Sequence, residues 1–302
     1  MALPGISRAV VLAARPRQWT KNLLIYFALL FTANEAWLEN PEPALSLLGK
    51  ATLAFGLFSA LSSAIYLVND ILDVDQDRQH PTKRLRPIAS GQLPVPAAWL
   101  AAAGLAALGL GSSFVLEPLF GWVTLAYLIL MTTYSLLLKR LILLDVLAIS
   151  GGFILRAVAG AVVLQVPISP WLYTCTGLGA LLIALAKRRS ELTLAGSDAG
   201  RQRVTLNWYT TPLLDQFIAV VAPSTLLAYT FYTFTAANLP TNHAMMLTVP
   251  FVVYGLFRYI YLVHTRNLGE SPEDLLIADV PLILSIVLWL ATAVTVLMVF
   301  GD

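Results

Sequence analysis

Charge is what this sequence has least of. Lysine, arginine, aspartate and glutamate make up 12% of its 302 residues, against about 25% in a soluble globular domain. So few charges cannot clothe a water-exposed surface, and a soluble fold is excluded. Cysteine occurs once, at Cys175, which rules out an internal disulfide and a cysteine metal site. The lone thiol sits in an apolar stretch and is expected to pack there. Histidine occurs three times, as His80, His243 and His264. No serine–histidine–aspartate arrangement is apparent, so catalysis through an activated hydroxyl is not expected. No low-complexity tract or internal repeat is present. Residues 1–20 hold no uninterrupted apolar core followed by a cleavage site, so no secretory signal is expected.

Apolar sequence is what remains: 58% of residues are hydrophobic and the mean hydropathy is +0.76. A spanning helix needs about 20 mostly apolar residues. Candidate spans are 21–38, 48–68, 97–116, 120–138, 143–164, 168–186, 213–235, 244–262 and 280–300. The expected fold is therefore an all-α integral membrane protein with nine transmembrane helices, its termini on opposite sides.

Cations fix the orientation. With the N-terminus cytoplasmic, Arg8, Arg15, Arg17 and Lys21 precede the first span, and Arg78, Lys83, Arg84 and Arg86 follow the second. Lys139 and Arg140 follow the fourth, Lys187, Arg188, Arg189, Arg201 and Arg203 the sixth, and Arg258 and Arg266 end the eighth. Only Lys50 and Arg156 fall elsewhere. The opposite connections, "NEAWLENPEP", "EPLFG", "QVPISP" and "NLPTNHA", contain no cation. The positive-inside bias alone accounts for Arg8, Arg17, Arg140, Arg201 and Arg203. It does not account for acidic residues interleaved with cations after span two, nor for Arg156 inside span five.

That acidic stretch reads "VNDILDVDQDRQHPTKRLRPIASG", Val68 to Gly91. On a helix, at about 100° per residue, Asn69, Asp70, Asp73 and Asp77 fall within an arc of roughly 80°, and Asp75 points away. Three carboxylates on one face repel unless a cation joins them. Oxygen-only donors suit Mg²⁺, which commonly takes one or two carboxylates together with substrate phosphates. The alternative is pairing with Lys83, Arg84 and Arg86 downstream. Pro81 and Pro87 end helices and stiffen the loop, and its cations stand where a polyphosphate would need them. His80 could ligate, donate, or only order the loop.

The motif N-D-x-x-D-x-x-x-D after span two, in a chain of nine expected spans, resembles the UbiA superfamily of intramembrane prenyltransferases. "RPRQWTKN" at 15–22, "HPTKRLRPIASG" at 80–91, "YSLLLK" at 134–139, "GFILRAVAG" at 152–160, "KRRSEL" at 187–192 and "ESPED" at 270–274 resemble one branch, the decaprenyl-phosphate phosphoribosyltransferases. The resemblance implies nine helices around a central cavity, in one polytopic domain over 1–302 with cytoplasmic cap loops near 69–96 and 187–212. It also implies a bacterial-type inner (plasma) membrane with the active site facing the cytoplasm, and no nucleic-acid partner.

Typical superfamily members carry a second aspartate-rich motif after span six, holding a second Mg²⁺ on a prenyl diphosphate. Here that place reads Lys187, Arg188, Arg189, Ser190, Glu191. Phosphoribosyl pyrophosphate (PRPP) carries a pyrophosphate and a separate 5-phosphate, so one metal site and one cationic site fit it. The implied reaction transfers 5-phosphoribosyl from PRPP to a polyprenyl phosphate with release of pyrophosphate. Mg²⁺, with Mn²⁺ a possible substitute, is expected on Asp73 and Asp77, aided by Asn69 and Asp70. Lys83 and Arg84 join Asp73 and Asp77 as catalytic candidates.

Further substrate contacts are expected at Lys21, Asn22, Arg86, Tyr134, Lys139, Arg156, Lys187, Arg188, Glu191 and Arg258. Arg156 lies roughly 18 Å along span five, where an isolated arginine should face a polar cavity and an anion. Asp145 either shares that cavity or only ends the helix. Glu191 is expected to orient Lys187 and Arg188, at i+4 and i+3, or to bind a ribose hydroxyl. The role of Glu270, Glu273 and Asp274 stays open. Two rivals remain: a UbiA-type aromatic prenyltransferase using a polyprenyl diphosphate, and an anionic-lipid transporter. The small-residue run "AGLAALGLG" within 102–111 permits close helix contact and a homo-oligomer.

Overall fold

The computed structural model describes residues 4–30, 41–80, 82–166, 170–195, 200, 203–236, 239–266, 275 and 278–300. Among these, all regular structure is helical. In chain order the α-helices are α1 (Pro4–Ala13), α2 (Phe27–Leu30), α3 (Pro41–Leu72), α4 (Val74–Gln79), α5 (Val95–Leu116) and α6 (Pro118–Leu136). They continue with α7 (Leu144–Leu164), α8 (Pro170–Ala195), α9 (Thr211–Thr235), α10 (Val249–Arg266) and α11 (Val280–Phe300). Short 3₁₀ turns join several of them.

Among the described residues seven helices are long and apolar enough to cross a membrane, against nine expected; they begin at Ala44, Val95, Pro118, Leu144, Thr211, Ala244 and Val280. The other two expected spans differ for separate reasons. The one at 168–186 lies in α8, whose 26 residues run on through the polar "KRRSEL" to Ala195. The first part of the loop expected near 187–212 is thus the last turns of a helix. The span at 21–38 begins instead in a 3₁₀ helix, Pro16–Tyr26, followed by α2; residues 31–40 lie outside the described ones.

Eleven residues is long for 3₁₀ geometry, which seldom exceeds three or four. The sequence gives a reason. Trp19, Asn22 and Ile25 recur every three residues, so three residues per turn stacks them on one face. Trp19 Nε1 donates to Ser63 Oγ at 3.0 Å, and Asn22 Nδ2 to Ser59 Oγ at 3.0 Å. Ile25 is fully buried. A Cβ at Gly160 would lie 2.2 Å from the Ile25 carbonyl oxygen; only glycine lets α7 come so close.

Neighbouring pairs α3–α5, α5–α6, α6–α7, α7–α8 and α8–α9 pack along their lengths, and α10 packs on α11. One apolar core joins α3, α6, α7 and the 3₁₀ segment around Phe58, Phe120 and Tyr127. A second joins α7, α8, α9 and α10 around Leu182, Leu206 and Leu214. Cys175 packs at the edge of a third, with Tyr229 and Met245. Polar side chains gather where α3, α6 and α8 end and α7 begins, beside α4 and the 80–91 loop.

Candidate active site

The helix through span two does not run straight on. It breaks at Asp73 (φ −98°, ψ 7°) and resumes as α4. Backbone bonds from Asp73 N to Asn69 O (3.0 Å) and from Asp77 N to Asp73 O (2.8 Å) carry the helical spacing across the break. The acidic face therefore survives, and each carboxylate on it is met by a cation. Lys139 Nζ lies 2.6 and 2.9 Å from the two Asp73 oxygens and 3.4 Å from Asn69 Oδ1. Arg86 Nη1 donates to Asp77 Oδ2 at 2.6 Å and to Asp70 Oδ1 at 3.0 Å, and Arg15 also pairs with Asp70. Asp75 is 88% exposed and pairs with Arg78 at 3.3 Å. It points away, as the helical phase requires.

Among the described residues no three histidine, cysteine or acidic side chains converge into a cage for a metal ion. The ridge nonetheless fits a hard divalent cation sharing its shell with a substrate. Its donors are all oxygens, and two cationic nitrogens occupy the points on which they converge: Lys139 Nζ among three oxygens, Arg86 Nη1 between two carboxylates. Mg²⁺ needs only one or two carboxylates where phosphates complete its shell. Asp77 has its pKa raised, because burial outweighs the attraction of Arg86; a further cation there would be welcome.

A second cluster forms at the end of α8. Arg188, 1% exposed, donates from Nε to Asp145 Oδ2 at 2.9 Å and from Nη1 to Glu191 Oε2 at 2.6 Å. Asp145 also accepts from Thr205 Oγ1 at 3.2 Å and Tyr209 OH at 2.9 Å. Tyr209 OH in turn accepts from the backbone N–H of Leu143 at 2.9 Å, holding that residue at φ 64°. Such backbone strain in a non-glycine residue persists only where its surroundings fix it. Arg203 reaches Glu191 Oε2 at 3.6 Å and Tyr134 OH at 3.3 Å.

Glu191 has a lowered pKa: burial alone would raise it, but Arg188, Arg203 and Lys187 together outweigh burial. A depressed carboxylate pKa contributes stability that is full above the ordinary value of 4.5 and is lost as pH falls through the folded-state value. The melting temperature of the wild type should therefore exceed that of Glu191→Gln by a constant margin from pH 7 down to about 4.5. The margin should close as pH falls further; one that widened on acidification would contradict this assignment.

Several expected contacts are placed otherwise. Arg156 is held by protein groups: Asn22 Oδ1 (2.8 Å), the Gly152 carbonyl (2.9 Å) and Tyr127 OH (2.7 Å) accept its N–H groups. The rings of Tyr127, Phe153 and Phe58 lie 4.8, 5.1 and 5.8 Å from its guanidinium carbon, a cation–π enclosure. Asn22 is fully buried in the same contact, so both residues dock the 3₁₀ segment against α6 and α7. Asp145 pairs with Arg188 rather than sharing a cavity with Arg156. Arg188 is enclosed by Asp145 and Glu191. Arg258 is bound by Asp279 at 3.1 and 2.8 Å, tying α10 to α11.

Lys21 lies against Gln18, and Arg84 is exposed in the 80–91 loop. Lys83 and Lys187 are half-buried. Asn69, Asp70, Asp73, Asp77, Arg86 and Lys139 converge at the ridge, and Tyr134, Arg188 and Glu191 at the second cluster. Pro81, Arg201, Glu270, Glu273 and Asp274 fall outside the described residues. Arg15 and Arg203 were read from sequence as opening charges and cytoplasmic bias; both sit in the clusters.

Residues 22–277 match the sequence profile of the UbiA prenyltransferase family. A protein of Mycobacterium tuberculosis named decaprenyl-phosphate phosphoribosyltransferase is 34% identical over 94% of this chain and 92% of its own length. One of the same name from Mycolicibacterium smegmatis is 33% identical over 94% of this chain and 90% of its own. Among solved structures, a UbiA homolog from Archaeoglobus fulgidus bound to GPP and Mg²⁺ superimposes with a TM-score of 0.71 at 18% identity, covering 96% of this chain and 100% of its own. The same homolog bound to DMAPP and Mg²⁺ gives 0.70 at 19% identity, over 96% and 99%. These superpositions speak for the fold.

Proposed function

Since the chain belongs to the UbiA prenyltransferase family, we propose that it acts as a membrane-embedded transferase. It carries the 5-phosphoribosyl group of PRPP to a polyprenyl phosphate and releases pyrophosphate. Relatives named decaprenyl-phosphate phosphoribosyltransferase at 34% and 33% identity support the reading. The observation that carries it is the contrast between the two clusters. One is an oxygen-donor ridge suited to a divalent ion and a diphosphate; in the other, a single carboxylate, Glu191, is already engaged by Arg188 and Arg203. A donor with a pyrophosphate at one end and a phosphate monoester at the other fits that asymmetry. A prenyl diphosphate held by two metals does not.

Asp73 and Asp77, with Asp70 and Asn69, would hold a divalent cation, Mg²⁺ by donor type, at the pyrophosphate end of the donor. When bound, that ion neutralises charge building on the departing pyrophosphate. Lys139 and Arg86, which balance the ridge in this structure, are then available to phosphate oxygens. The bond from the anomeric carbon to pyrophosphate breaks, and pyrophosphate leaves with the electron pair. An oxygen of the lipid phosphate forms the new bond from the opposite face. That oxygen is anionic at neutral pH, so no general base is required, consistent with so few histidines. The ridge lies at the end of α3 toward the cation-rich connections, so the reaction takes place on the cytoplasmic side, with the cap segments near 69–96 and 187–212 around it. A bacterial-type inner membrane is the implied setting.

The test is incubation of purified protein with Mg²⁺, labelled PRPP and a polyprenyl phosphate. Label should enter the lipid phase with equimolar release of pyrophosphate. No transfer by folded, Mg²⁺-supplied protein, or transfer of a prenyl chain from its diphosphate to an aromatic acceptor, would overturn the reading.

A further inference from the structure

Arg203 stands on a fixed mount. It opens the segment that turns through the 3₁₀ residues Val204–Asn207 into α9, and its own backbone is extended (φ −155°, ψ 126°). Two side chains of this segment, Thr205 and Tyr209, bind the same buried carboxylate, Asp145, at 3.2 and 2.9 Å. Asp145 and Thr205 are both fully buried. Arg188 fixes Asp145 from the other side at 2.9 Å. The mount is thus held by a hydrogen-bonded network inside the protein, and the arginine it carries is a quarter exposed.

What Arg203 reaches is poorly matched to it. Glu191 Oε2 lies 3.6 Å away, and that oxygen is already taken by Arg188 at 2.6 Å. Tyr134 OH is at 3.3 Å. An arginine offers five N–H donors in a planar fork suited to a phosphate, and two long contacts use little of that capacity. A second cation, Lys83 of the 80–91 loop, acts electrostatically on the same groups. Lys83 has its pKa lowered, first by burial and then by Arg86, with Arg203 adding further repulsion and Asp77 and Glu191 opposing it. It therefore lies within electrostatic reach of the ridge and of the Arg203 cluster. Lys187 also lies close enough to act on Glu191.

We infer that Arg203, with Lys83 nearby, forms a seat for a phosphate monoester beside the aspartate ridge, filled in the proposed reaction by the 5-phosphate of the donor. The inference rests on the proposed function only for the donor's identity; the seat follows from the placement of the cations.

The test uses two probes on full-length protein in detergent, read by ligand-induced thermal stabilisation: ribose 5-phosphate alone, and inorganic pyrophosphate with Mg²⁺. The wild type should respond to both. Arg203→Gln should bind ribose 5-phosphate at least about tenfold more weakly, the loss of one or two charged hydrogen bonds. Its response to pyrophosphate with Mg²⁺ should stay within about twofold. In turnover the KM for PRPP should rise about tenfold with kcat little changed, and Arg203→Lys should recover part of it. If Arg203→Gln does not fold, Arg203→Lys carries the same comparison with a smaller loss. Equal weakening of both probes would assign Arg203 to structure alone; no weakening of either would remove the seat. A wild type that binds ribose 5-phosphate through Arg203 yet transfers nothing would sink the proposed reaction and leave the seat standing.

Discussion

Asp73→Ala should lower kcat/KM for phosphoribosyl transfer by roughly 10²–10³-fold while leaving the protein folded, the usual scale for losing one group that stabilises developing charge. The position separates chemistry from stability better than its neighbours do. Asp73, at 24% exposure, is the most open carboxylate of the ridge, and its ion partner Lys139 is 16% exposed; its removal should cost less stability than removal of a fully buried partner. Asp70 and Asp77 are 2% and 4% exposed, and both bind Arg86. Their removal would strip a partly buried arginine of its counter-charges and cost stability as well. Lost activity in those two variants would therefore be ambiguous. Asp75→Ala is the control, since Asp75 lies on the outer face against Arg78 and should change transfer by less than about twofold. Steady-state rates with PRPP varied at fixed Mg²⁺, beside a melting curve for each variant, decide the matter. An inactive Asp75→Ala with an active Asp73→Ala would reverse the face of the ridge and remove the metal assignment with it.

The ridge was legible because it is local. Asn69, Asp70, Asp73 and Asp77 lie within nine consecutive residues, so helical geometry alone puts them on one face. The helix breaks at Asp73, yet the i−4 backbone bonds on either side keep the phase, so the forecast survived a wrong detail. The one-sided placement of cations is readable for a similar reason, being a property of each connection by itself. What could not be read was pairing at a distance. Arg188 and Asp145 are 43 residues apart, and Arg156 and Asn22 are 134 apart. Neither contact follows from spacing. Arg156 shows the consequence. The cost of an isolated intramembrane charge called for an anion; what spacing could not show is that neutral acceptors and aromatic faces also surround it. For the span expected at 21–38 a signal did exist. Hydropathy averages over its window and sees only grease. The three-residue recurrence of Trp19, Asn22 and Ile25, two of them polar or amphipathic, pointed to a tighter helix docked by hydrogen bonds.

Asp145→Asn should be the most destabilising substitution of a polar residue near the site, because of what it leaves behind. Arg188 is 1% exposed, and in the wild type Asp145 and Glu191 share its charge. Breaking a buried ion pair by removing one partner costs about 3–5 kcal/mol; the surviving bond to Glu191 keeps the loss near the lower figure. If an unbalanced charge is the cause, removing that charge should undo much of the damage. The double variant Asp145→Asn with Arg188→Gln should therefore unfold at a higher temperature than Asp145→Asn alone, although it has lost more of the native contacts. A purely geometric role predicts the opposite, each substitution adding its own loss. Activity should not follow stability. With Asp145 replaced by an amide, Thr205 and Tyr209 lose the carboxylate that anchors the 203–209 segment, and Arg203 loses its mount. The double variant should then be more stable than the single one and still carry a raised KM for PRPP. Recovery of both together would mean that the network serves the fold and that Arg203 needs no anchoring to act.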